Sequence, residues 1–106
     1  MPDYHGQPEI PEFYVVLYRH TPVKPGTEAQ LQQARDAHIA NQHRHYEEGR
    51  LVMGGPFMEG GGGMALFKAQ DLAEVEAWVA ADPAVAAGLY EVEIYRYRVM
   101  LSAWEL

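Results

Sequence analysis

The sequence contains no cysteine. Disulfides, thiolate nucleophiles and cysteine-ligated metal sites are therefore excluded. Basic residues are also scarce: 8 Lys and Arg stand against 15 Asp and Glu, giving a formal charge of −7 with His neutral. Protonating all 5 His would still leave the chain acidic. A nucleic-acid reader concentrates its cations in a patch, whereas here they are scattered, so no nucleic-acid partner is expected. No apolar run approaches the ~20 residues of a membrane span, and no membrane partner is expected either. The segment from Met1 to Pro8 lacks the basic-then-apolar pattern of an export signal. The default expectation is a soluble cytoplasmic protein.

The chain does hold the material of one folded domain: 106 residues, 48% of them apolar. A domain this small commonly buries a face against a second copy as well as its own core. Residues 1–12, polar and carrying Pro2, Pro8 and Pro11, read as an N-terminal extension, and residues 13–106 as the domain. Phe13 to Tyr18 is a short run, apolar at odd and even positions alike, which predicts a strand covered on both faces. Thr27 and Gln30 have capping-box spacing, and Gly49 suits a left-handed cap, so a helix is expected between them. Leu51 to Phe57 predicts an edge strand, because Pro56 cannot donate to a ladder. A glycine turn at 60–63 leads to a third strand over Met64 to Phe67. Asp71 and Glu74 resemble a second capping box, ahead of a helix with Leu72, Val75, Trp78 and Val79 on one stripe. Pro83 ends or bends that helix, and residues 84–88 form a connector or one further turn. The last strand is expected from Leu89 to about Leu101. Its apolar residues pass from even positions (Val92, Ile94) to odd ones (Tyr95, Tyr97, Val99), which predicts a bulge or a change of sheet. The order β-α-β-β-α-β predicts a ferredoxin-like α+β fold. Two helices cover one face of a four-stranded antiparallel sheet, and a second copy covers the other in a homodimer with a barrel-like centre.

The first helix has too thin an apolar stripe for its length. Leu31, Ala34, His38, Gln42 and His45 share one face, so a surface that should be greasy carries two histidines and an amide. Histidine is the side chain suited to moving protons near neutral pH. His38 is the candidate general acid/base, and Asp82, before Pro83, is the candidate partner that fixes its tautomer. Arg35, one turn earlier, is placed to hold a substrate carboxylate. Each residue also has an ordinary alternative: a packed structural His38, a turn-forming Asp82 and an Arg35 paired with a neighbouring acid. His38 and Asp82 lie mid-helix and near a helix end, so contact requires the connector to fold back or the first helix to begin later than Thr27. His38, Gln42 and His45 are too few good ligands to predict a metal, and His43 reads as a solvated surface residue. The glycine run is no P-loop, because no Lys-Ser or Lys-Thr follows it. Tyr90, Tyr95 and Tyr97 read as sheet and interface residues.

Taken in order, Arg35-x-x-His38-Ile39, Gly49-Arg50-Leu51, Gly54-Gly55-Pro56, Asp82-Pro83 and Gly88 resemble the signature of the YciI-like family over residues 13–100. The resemblance implies a ferredoxin-like dimeric α/β barrel with His38 and Asp82 as an active-site pair. The family includes a cofactor-free enzyme of chlorinated-aromatic breakdown, and its fold is shared by muconolactone isomerases. The expectation is a cofactor-independent lyase or isomerase acting on a small acidic or aromatic-derived metabolite, with neither cofactor nor metal. The alternative is a non-enzymatic dimeric domain that binds a small ligand, or an accessory domain, with His38 structural.

Overall fold

In a computed structural model of the chain, residues 12–106 are described. The elements are β1 (Glu12–His20), α1 (Glu28–Glu47), β2 (Leu51–Pro56), β3 (Gly63–Ala69), α2 (Leu72–Ala80), α3 (Pro83–Ala86) and β4 (Tyr90–Tyr97). The expected N-terminal extension lies outside the described residues except for Glu12, which begins β1. The four strands pair antiparallel in the spatial order β2-β3-β1-β4, which is the ferredoxin-like arrangement. No helix among the described residues is long and apolar enough to cross a membrane.

Local chemistry sets most of the boundaries. Thr27 and Gln30 make a reciprocal capping box at the start of α1. At the other end Gly49 takes φ +77°, and the Gly49 and Arg50 amides return to the carbonyls of Tyr46 and His45. That is a Schellman motif, in which only glycine fits without strain. The same pattern recurs at Gly88, whose amide bonds to Val85 while that of Leu89 bonds to Ala84. Asp71 caps α2, but Glu74 reaches the Gln70 amide, not that of Asp71, so the second box is only half made. Pro83 ends α2 by opening a new turn: α3 begins on it, with Asp82 as N-cap.

The core lies between sheet and helices. Tyr14, Val16 and Tyr18 of β1 meet Ala65, Phe67 and Ala69 of β3, with Val75 and Val79 of α2 above them. A second cluster of Leu31, Ala84 and Leu89 joins α1 to α3 and to the start of β4.

The last strand differs from the expectation in two respects. It ends at Tyr97, not near Leu101. It also has no bulge: pairing with β1 is unbroken from His20–Tyr90 to Phe13–Tyr97. Tyr90, Val92 and Ile94 pack on the core, while Tyr95 and Tyr97 stand half-exposed on the opposite face. Both faces of β4 carry large side chains, one set after the other, and the pattern mimics a phase shift. The irregularity sits in β2, where Leu51 opposes Phe67 and Met53 opposes Leu66, leaving Val52 as the additional residue.

The glycine turn is tight. Gly60, Gly61 and Gly62 all have φ between +74° and +80°. A Cβ on Gly62 would stand 2.2 Å from the Tyr18 carbonyl oxygen. Gly62→Ala is therefore expected to lose roughly 1–3 kcal/mol of stability, read as a lower melting temperature in a thermal denaturation scan.

Candidate active site

His38 projects from the middle of α1, where the helix backbone fixes its direction. Asp82 reaches it because α2 stops after nine residues and α3 packs back on α1 through Leu31, Ala84 and Leu89. The His38 Nδ1 to Asp82 Oδ2 distance is 2.6 Å. The other carboxylate oxygen accepts from the Ala84 amide at 2.9 Å, capping α3. Asp82 is 1% exposed. Its carboxylate only accepts, so the hydrogen in the contact belongs to Nδ1. Nε2 has no hydrogen-bond partner among the described residues.

Two aromatic rings pack edge-on against this histidine, and a third packs on one of them. Tyr18 lies 5.1 Å from the His38 ring and Tyr90 5.2 Å, centroid to centroid, and His20 lies 5.1 Å from Tyr90. These residues share the helix-facing parity of β1 and β4. Tyr18 also accepts a hydrogen bond from Gln42 Nε2 at 3.1 Å. Burial pushes its phenol well above the ordinary value, so it remains a protonated donor at neutral pH. Tyr90 is also raised by burial, and the positive charge of Arg35 opposes that shift. The Arg35 guanidinium itself donates to Gln32 at 3.3 Å. The Gly61 backbone abuts His20, since a Cβ there would come within 2.8 Å of the ring.

The two face-sharing histidines of α1 part company. His45 is buried at the far end of the helix against Phe67 and Trp78, both 5.5 Å away. Arg50 approaches its Nδ1 at 3.4 Å and stacks over Trp78. Burial, followed by the charges of Arg50 and Arg44, lowers the His45 pKa from the usual 6.5. The folded chain thus holds this ring neutral. As pH falls through about 6.5, the unfolded chain takes up a proton that the folded chain refuses. The associated stability is complete above that pH and declines below it. His45→Leu should flatten the loss of stability measured by urea unfolding between about pH 6.5 and pH 5. Among the described residues, no group of three His, Asp or Glu side chains is placed to hold a metal ion.

Tyr18, Tyr90 and His20 were not among the residues singled out for chemistry from sequence. Tyr90, read as a sheet residue, lies in β4 and faces the helices. Their signal is parity: His20 and Tyr18 alternate with Val16 and Tyr14, and Tyr90 with Val92 and Ile94. Asn41, buried on α1 and accepting from Arg44, is a further polar residue of this helix that face-counting did not include.

A ferredoxin-like sheet, with a histidine–aspartate contact and two tyrosines between it and its helices, defines a small α+β domain with a polar inner layer. The particular family follows from the sequence: residues 13–98 match the YCII-related domain, and the chain belongs to that family. Among solved structures, the chain is similar to the 5-chloro-2-hydroxyhydroquinone dehydrochlorinase TftG of Burkholderia phenoliruptrix AC1100, in complex with 2,5-dihydroxybenzoquinone. The TM-score is 0.61 at 20% identity, covering 81% of this chain and 93% of that one. At this identity the likeness concerns the fold. No curated protein matches the chain.

Proposed function

We propose that this protein is a cofactor-independent enzyme of the lyase or isomerase type, with His38 as general acid/base. The observation that carries this reading is the 2.6 Å contact with buried Asp82, which orients the ring and leaves Nε2 open. In such a reaction Nε2 takes a proton from a hydroxyl, or from a carbon next to a carbonyl. It returns that proton elsewhere on the molecule, or a leaving group departs as its anion and the net loss is HX. Asp82 stabilises the imidazolium formed in between, and Arg35 holds an acidic group of the substrate. The fold-related dehydrochlorinase was captured with a dihydroxybenzoquinone, which makes small hydroxylated rings the first substrates to try. Turnover of halogenated and non-halogenated hydroxyhydroquinones, followed by absorbance and halide release, tests the proposal. Absence of turnover across acidic and aromatic-derived metabolites, despite binding, would favour the second reading.

That second reading is a non-enzymatic ligand-binding or accessory domain. It is favoured by one observation: Asp82 also caps α3, so its contact with His38 has a structural use of its own.

In either reading the unit is a homodimer. The sheet face opposite the helices carries the partly exposed Val15 and Leu17 and the exposed Tyr95 and Tyr97, with no helix of the described chain over it. Pairing two such faces removes this apolar surface from water. Size-exclusion chromatography with light scattering at micromolar concentration should give twice the 11.9 kDa chain mass, and Val15→Lys should give the monomer.

A further inference from the structure

The Gln42 side chain is anomalous in an otherwise satisfied interior. Its Oε1 is buried without a hydrogen-bond partner, the one such side-chain atom among the described residues. The amide nitrogen donates to the Tyr18 hydroxyl at 3.1 Å. Turning the amide over moves the vacancy to nitrogen without filling it, because a single hydroxyl can serve only one end. The hydroxyl is also half-used: it accepts from Gln42, and its own hydrogen has no acceptor among the described residues. Buried polar atoms are paired in all but a few cases, and a bound water or ligand is one way in which such an exception is satisfied. The location is specific. Gln42 lies one turn beyond His38 on the same face of α1, and Tyr18 meets both, His38 with its ring and Gln42 with its hydroxyl.

We infer that Tyr18 and Gln42 form a hydrogen-bonding subsite for an oxygen atom of the molecule whose proton His38 handles. The inference rests on the acid/base reading of His38 and names the substrate class for it. Removing a proton beside a carbonyl drives negative charge onto the carbonyl oxygen, and a donor already aimed there stabilises that charge. The Tyr18 hydroxyl supplies the donor, while Gln42 offers an acceptor for a neighbouring hydroxyl. No side-chain charge enters this pair. It suits a neutral carbonyl–hydroxyl arrangement, as in a hydroxyquinone or an enolised hydroxyketone, and leaves any carboxylate to Arg35. Only hydrogen bonds form at the subsite; the proton itself passes to Nε2.

The test uses 2,5-dihydroxybenzoquinone as the probe, titrated calorimetrically into the full chain and into Tyr18→Phe and Gln42→Met. Each substitution removes the polar group at nearly constant volume. Each should weaken binding by about tenfold or more. Should either variant fold poorly, nitrogen-15 NMR of the parent replaces it: the Gln42 side-chain amide should shift as the probe binds. Unchanged affinity in both variants, or a Gln42 amide that stays put while other resonances move, overturns the subsite and leaves the role of His38 standing. No binding to the parent at millimolar probe overturns the assigned ligand class. Weakened binding in both variants alongside full turnover in His38→Asn keeps the subsite and removes the acid/base reading.

Discussion

His38→Asn is expected to lower kcat/KM by about 10²- to 10⁴-fold, the span that a positioned general acid/base contributes. The amide of Asn can still donate to Asp82 from nearly the place of Nδ1, so the cap of α3 and the packing of Tyr18 and Tyr90 survive. The choice of Asn matters. Alanine would also open a space beneath the two tyrosines, mixing a packing loss with the chemical one. With Asn, a catalytic histidine loses rate while melting temperature and ligand affinity remain near the parent's. A structural or binding histidine shows the opposite split, with rate following affinity. The measurements are steady-state turnover of a confirmed substrate, calorimetric affinity and a thermal melt on the same preparations.

Asp82→Ala is expected to cost about 2–4 kcal/mol of stability, the sum of a lost helix cap and a donor left without its acceptor. Two interactions vanish together. The Ala84 amide at the start of α3 loses its cap, worth about 1 kcal/mol by itself. His38 Nδ1–H loses its acceptor in a site it cannot leave, which adds about 1–3 kcal/mol. For a domain of this size each kcal/mol moves the melting temperature by roughly 4–8 °C, so the midpoint should fall by roughly ten degrees or more. Asp82→Asn separates the two effects. Its side-chain oxygen can still cap α3, while its amide nitrogen would meet the Nδ1 hydrogen head-on unless the imidazole changes tautomer. Asp82→Asn should therefore melt higher than Asp82→Ala yet share the activity loss of His38→Asn. Equal melting temperatures for the two Asp82 variants would remove capping from the account.

The features legible in the sequence were those written over a few neighbouring residues. Thr27 with Gln30, Gly49 and Pro83 act on their own backbone within one turn, and each has its structural counterpart. The strand order follows from the succession of elements, because few topologies accommodate β-α-β-β-α-β. Two kinds of information were hidden. In β4 both faces bear large side chains, so period-two alternation could not be told from a slip, and a bulge was expected where the ladder is regular. The approach of Asp82 to His38 has no local signature either. It depends on Leu31, Ala84 and Leu89 packing together, residues brought close only after the chain has folded. Tyr90 was read as a sheet residue, which it is, but its side of the sheet was hidden for a related reason: a tyrosine suits an interface as well as a core.

The central strand β1 is a shared wall. Tyr18 turns toward His38 and Gln42, while its chain neighbour Leu17 turns to the open face beside Met64 and Glu93. Anyone redesigning this protein for a new substrate therefore has little freedom on that strand, since a backbone shift that enlarges one side must distort the other. The freedom lies on α1, where Arg35, His38 and Gln42 succeed one another on a helix anchored at both ends by its own caps. A mutant library confined to that helix face would vary the surroundings of His38 and leave the open face of the sheet as it is, whereas one built on β1 would alter both at once.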